Sequence, residues 1–236
     1  MIFRDLPLLF TAPTVFAILV AAFVVSIMVG LIFHEFCHAW VANRLGDPTP
    51  RLMGRLTLNP LAHYDPIGTT MILFAGFGWA KPVPVNPNYA KNPKQAMLLI
   101  AFAGPASNLV VAAVAGIPLR FGWVPISGNP AIWAANWTVV DLVGLFLSTV
   151  LVLNVFLALF NLLPLPPLDG SKVLMGLLPD RLAEQYQRLE PWGPGLLMLL
   201  ILAPFVTNGA VSVMIVIRPL ANFLFDLFLG TPGGLF

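Results

Sequence analysis

Charge is what this sequence has least of. Lys, Arg, Asp and Glu make up 9% of the 236 residues, where a soluble domain carries about 25%. So little polar surface cannot cover a folded chain in water. The 58% of hydrophobic residues fall into runs close to the roughly 20 residues that cross a hydrocarbon core of about 30 Å. A soluble fold is excluded on that ground. The net charge of +2 is small and spread along the chain, which removes the basic footprint of a nucleic-acid binder. Cysteine occurs once, at Cys37, so no internal disulfide can form. The N-terminus has neither a basic n-region nor a small-residue cleavage site, and the first apolar run reads as retained structure. No repeat, heptad array or long linker divides the chain, so residues 1–236 are expected to form a single membrane-embedded domain.

Six apolar segments fill it: Thr14 to Trp40, Ile67 to Trp79, Gln95 to Leu119, Val139 to Leu163, Trp192 to Val206 and Val211 to Leu229. The second is short and broken by Gly76 and Gly78, which suits either a tilted span or a re-entrant element. The fold class expected is an all-α polytopic membrane protein of about six transmembrane or re-entrant segments. Alternation of polar and apolar residues over Arg51 to Leu58 predicts a short interfacial strand or hairpin. Lys81-Pro82-Val83-Pro84-Val85-Asn86-Pro87 cannot be helical, because each proline removes a donor and restricts the residue before it. Arg44, Arg51 and Arg55 after the first segment, and Lys172, Arg181 and Arg188 after the fourth, favour the cytoplasm for both loops. Lys81, Lys91 and Lys94 fit that side if the second segment is re-entrant and conflict with it if that segment spans.

Chemistry concentrates in His34-Glu35-Phe36-Cys37-His38. Two histidines four residues apart share one helix face, about 6 Å apart along the axis, and can reach one zinc ion. Glu35 lies about 100° round the helix, where it can approach a water on the metal without ligating it. The bland alternative, a solvated helix face, fails on context. An ionisable Glu inside Gly30-Leu31-Ile32-Phe33 and Phe36-Cys37 costs roughly 2.5–3.5 kcal/mol unless paired or hydrated. Zinc needs a third protein ligand, and among ten acids Asp169 has the most suitable setting. It follows the fourth segment, where Pro164, Pro166 and Pro167 unwind the chain and Gly170 removes bulk. An interfacial turn capped by Asp169 is the other reading of that stretch.

These pieces resemble the site-2 proteases, the intramembrane zinc metalloproteases. The matching residues are His34 to His38, Gly104-Pro105-Ala106-Ser107-Asn108, and Asn161 to Gly170. Asn59 to Thr69 and Gly78 to Val85 look like the small prokaryotic branch without PDZ or CBS domains. The resemblance covers about residues 14–175, with the C-terminal helices of 192–229 outside it. It implies that Asp169 is the third ligand of a single zinc ion and that the first, third and fourth segments form a three-helix catalytic core. It also implies a prokaryotic inner membrane, and the basic loops put the active site toward its cytoplasmic side.

The reaction expected is peptide-bond hydrolysis in a transmembrane protein substrate. Glu35 takes a proton from water activated at one zinc ion and later passes it to the leaving amine. Asn161 is the candidate donor to the oxyanion, with a helix-packing amide as its other reading. His63, beside Tyr64 and Asp65, reads as structural; Cys37 and the Gly104/Asn108 pair read as packing. A transmembrane substrate must unwind locally, and the extended Lys81 to Asn86 stretch, or Leu52 to Leu58, could pair with it as an added strand. Two other classes stay in view. A zinc transporter would need an ionisable path continuing past Glu35 and Asp169, and a silent scaffold would lack Glu35.

Overall fold

The computed structural model describes residues 8–11, 13–75, 78–126, 138–210 and 212–230. Eight helices carry the fold: α1 (Pro13–Arg44), α2 (Pro66–Ala75), α3 (Pro93–Arg120), α4 (Val139–Asn161), α5 (Asp169–Leu177), α6 (Asp180–Gln187), α7 (Gly193–Val206) and α8 (Met214–Leu229). Single helical turns at Leu8–Thr11, Thr49–Leu52 and Pro60–His63 add to them. The all-α class expected from the sequence is the one observed. Four helical stretches are long and apolar enough to cross a membrane: Pro13–Arg44, Pro93–Arg120, Val139–Asn161 and Asp180–Val206.

Local sequence sets the ends of the long helices. Gly46, at φ +102°, stops α1: its N–H bonds Asn43 O and the Asp47 N–H bonds Ala42 O, which satisfies the last carbonyls. Gly122, at φ +68°, ends α3 the same way through Leu119 O and Pro118 O. Asn92 caps the start of α3, where Pro93 needs no donor. Thr138 and Asp141 exchange hydrogen bonds at the start of α4, a capping box worth about 1 kcal/mol.

α1, α3 and α4 pack pairwise, and α5 lies against α3. Farther along the bundle α8 closes on α3 and α4, burying Ile217, Ala221, Phe225 and Leu229 against Ala112, Ala115, Leu151 and Val155. Large apolar side chains elsewhere on the helices, among them Val110, Val114, Phe205 and Phe223, remain exposed, as a lipid-facing surface requires.

The strand expected over residues 51–58 does not form. Thr49–Leu52 is a helical turn started by Pro50 and by the Asp47 carboxylate on the Thr49 N–H; Gly54, at φ +67°, then turns the chain into irregular structure. Proline at the first turn and a capping acid override the alternation of polar and apolar residues. No strand occurs among the described residues. The second apolar segment is the ten-residue α2, about 15 Å long, half of what a crossing needs. Gly76 lies outside the described residues.

Three basic stretches meet at one end of the bundle. Arg55 bonds the carbonyls of Ala62 and Lys81, Asp47 accepts from Asn86 N, and Lys94 bonds Asp180 and Leu178 O. Lys81, Lys91 and Lys94 therefore sit on the same side as the arginines after α1 and the residues after α5.

Between α4 and α5 the chain unwinds through Leu162–Leu168, with Pro166–Pro167 cis. α5 then starts hard against the end of α4: a Cβ on Gly170 would overlap the carbonyls of Leu162 and Leu163. Gly170→Ala is expected to destabilise the fold by about 1–3 kcal/mol, read as a lower midpoint of thermal unfolding in detergent.

Candidate metal centre

The late part of α1 faces α3 with His34 and His38 one turn apart, both buried. Their rings meet edge to face, centroids 4.6 Å apart. From the unwound end of α4, the first residue of α5 sends Asp169 between them: Oδ2 lies 2.9 Å from His34 Nε2 and 3.1 Å from His38 Nε2. The helix pair supplies two donors by periodicity, and the proline break returns the third from 131 residues away.

Each ring is turned by a partner behind it. His38 Nδ1 donates to Ile100 O at 2.6 Å. His34 Nδ1 meets Asn108 Oδ1 at 2.7 Å, and the Asn108 amide is oriented because its nitrogen donates to Gly30 O at 2.9 Å. In both rings the Nδ1 proton is fixed, so Nε2 is the atom offered to the centre. Two such nitrogens around a carboxylate oxygen need positive charge among them.

This donor set fits a divalent metal of zinc type. The ligand atoms of His34, His38 and Asp169 all lie within 4.8 Å of one another. A tetrahedral ion with bonds near 2.0–2.1 Å separates its ligands by about 3.3 Å, close to the spacings seen. Two His and one carboxylate leave the fourth position open, the pattern of catalytic rather than structural zinc.

Glu35 stands beside this set. It is half-buried, and its Oε2 accepts the Val83 N–H at 3.2 Å, so the proline-rich segment lies over the carboxylate. Asn161 closes α4, with its amide nitrogen donating to Leu157 O at 2.9 Å; no hydrogen bond among the described residues joins it to the cluster. His63 donates from Nε2 to Thr57 O, and its carbonyl takes the Lys81 N–H. Cys37 is half-buried, and the Ser107 hydroxyl of α3 donates to Gly104 O at 2.7 Å.

Gly104 and Asn108 carry more than the packing role that their spacing suggests. A Cβ on Gly104 would lie 2.5 Å from His38 Cε1 and Nε2 and 2.6 Å from His34 Nε2. Only glycine lets both imidazoles turn toward Asp169. Gly104→Ala is expected to weaken zinc binding about 10- to 100-fold, the range for lost support around a ligand. Competition with a chromophoric chelator in detergent checks it.

A buried His-His-carboxylate centre in an apolar helical bundle defines a membrane-embedded metallohydrolase class. The chain belongs to Peptidase family M50, whose model matches residues 22–123 and 122–202. It is similar to YwhC of Bacillus subtilis (strain 168), 41% identical over 181 residues, 77% of this chain and 80% of that one. Rip2 of Mycolicibacterium smegmatis is 32% identical over 195 residues, 80% of this chain and 68% of that one. Both relatives are named as zinc metalloproteases. No solved structure matches the chain. Membership makes the chain a metalloendopeptidase of the membrane, and zinc is the metal this donor set takes.

Proposed function

We propose that this protein hydrolyses peptide bonds in or near transmembrane segments of other membrane proteins, with Glu35 as the base. The observation that carries the reading is that His34 and His38 lie on Pro13–Arg44, a helix long and apolar enough to cross a membrane, with Asp169 brought to them from just beyond another such helix, Val139–Asn161. When bound by His34, His38 and Asp169, zinc supplies Lewis acidity toward a water and a carbonyl. Glu35 accepts the proton of the attacking water and delivers it to the leaving nitrogen. Its anchoring by the Val83 N–H keeps the carboxylate beside the centre instead of in the ligand set. Asn161 is the proposed donor to the oxyanion: one amide hydrogen is held by Leu157 O, and the second can meet a substrate oxygen.

A substrate helix has its backbone bonds satisfied internally and must unwind before cleavage. The extended Lys81 to Asn86 segment is the proposed edge for the unwound strand. Since the Val83 N–H bonds Glu35, a strand pairing there competes with the base for that donor. The protein is proposed to be multi-pass in a prokaryotic inner membrane. The end where Arg44, Arg51, Arg55, Lys94 and Arg181 gather faces the cytoplasm by the positive-inside rule, and the centre lies toward that side.

The test uses purified protein, reconstituted with zinc in liposomes, and a reporter helix in the same bilayer. Mass spectrometry of the products should give a cut within or beside the apolar segment. Cleavage confined to soluble unfolded peptides, with the embedded helix untouched, would remove the intramembrane reading.

A further inference from the structure

Asn154, on α4, touches neither the metal ligands nor any open face, yet it stands at the end of a continuous polar line to His34. Its amide nitrogen donates to Val150 O at 2.9 Å. That bond turns its oxygen toward Asn108, whose amide nitrogen donates to Asn154 Oδ1 at 3.1 Å and to Gly30 O at 2.9 Å. Asn108 Oδ1 then takes the His34 Nδ1 proton at 2.7 Å. Both Asn108 amide hydrogens meet acceptors, and the two carbonyls that fix the sense of the line, Val150 O and Gly30 O, cannot donate. Asn108 and Asn154 are 0% and 1% exposed, so these bonds are made without solvent contact.

We infer that Asn154 is a positioning residue for the metal centre, acting through Asn108 to select the His34 tautomer. An amide flips between two orientations of nearly equal shape. In one, Asn108 presents oxygen to His34 and the ring carries its proton on Nδ1, with Nε2 free for zinc. In the other it presents –NH2, the proton moves to Nε2, and the ligand atom is blocked. Gly30 O alone occupies one of the two Asn108 amide hydrogens; Asn154 occupies the second and makes the flipped state lose two bonds instead of one. The line exists because Gly30 has no side chain: a Cβ there would lie 2.7 Å from Asn154 Oδ1 and 3.3 Å from Asn108 Nδ2. The inference deepens the metallopeptidase reading and rests on its zinc centre, while its test needs no cleavage of any substrate.

Two near-isosteric substitutions separate this role from packing. N154D introduces a carboxylic acid that burial holds neutral; it can still donate to Val150 O and accept from Asn108. N154L fills the space and can do neither. Zinc affinity of the detergent-purified full chain is measured by chelator competition, and the metal-free proteins are checked by thermal unfolding. The expected order is N154D within about twofold of wild type and N154L weaker by about tenfold or more. If N154L does not fold, Gly30→Ala replaces it, with the same fall expected. Equal affinities for the two variants, or N154D weakened and N154L unchanged, overturn the inference. Wild type that binds zinc tightly but cleaves nothing would count against the protease reading and leave this result standing.

Discussion

Glu35→Gln is expected to lower peptide hydrolysis by about 10³-fold, within the range general-base catalysis contributes, while zinc content stays at wild-type level. The carboxamide matches the carboxylate in shape, and Glu35 is outside the donor set of His34, His38 and Asp169. What disappears is a site that can accept a proton. The amide oxygen can still take the Val83 N–H that Oε2 takes now at 3.2 Å, so the overlying segment should remain in place. Cleavage of an embedded reporter helix and metal analysis on the same preparation give both numbers. Equal cleavage by wild type and variant would mean that another group removes the proton. A variant without zinc would mean that Glu35 ligates or supports the metal. The pair of readouts also separates the alternatives raised by the sequence, since a transporter or scaffold would show zinc and no cleavage in either form.

The metal centre was legible in the sequence where its logic is local. His34 and His38 share a face because a helix repeats every 3.6 residues, and prolines 164, 166 and 167 mark the break that frees Asp169. The apolar runs at 14–40, 95–119, 139–163, 192–206 and 211–229 appear as α1, α3, α4, α7 and α8, with bounds that differ by a few residues. What stayed hidden is of long range. The partner of His34 Nδ1 is 74 residues away in sequence, and small-xxx-polar spacing in Gly104 to Asn108 signals close helix approach without saying what approaches. The answer, two imidazoles against Gly104, depends on the rotation of α1 against α3. The absent strand at 51–58 has a different cause: alternation is a statistical cue, whereas Pro50 and the Asp47 cap act on the backbone directly. The Val83 bond to Glu35 could not be read at all, because an extended segment without periodicity gives no hint of where its free donors point.

Asp169→Ala is expected to reduce zinc affinity by at least about 10³-fold and to leave the purified protein without stoichiometric metal. The carboxylate is the one negative group among the three ligands, and its Oδ2 lies about equally far from both Nε2 atoms, at 2.9 and 3.1 Å. Removing it leaves two neutral imidazoles, a buried pair that cannot close a tetrahedral site and cannot balance the charge of a divalent ion in apolar surroundings. Asp169→Asn separates charge from shape. It keeps an oxygen at the same place on the same helix start, where Gly170 fixes the approach of α5 to α4, but the oxygen is a neutral and weaker donor. Zinc binding by D169N should therefore fall between wild type and D169A. His34→Ala gives the reference for loss of one neutral ligand, and it should cost less than D169A. Zinc retained at full stoichiometry in D169A, with His34 and His38 intact, would break the three-ligand centre. A D169N variant as weak as D169A would place the whole contribution of Asp169 in its charge and none in the geometry that the proline break provides.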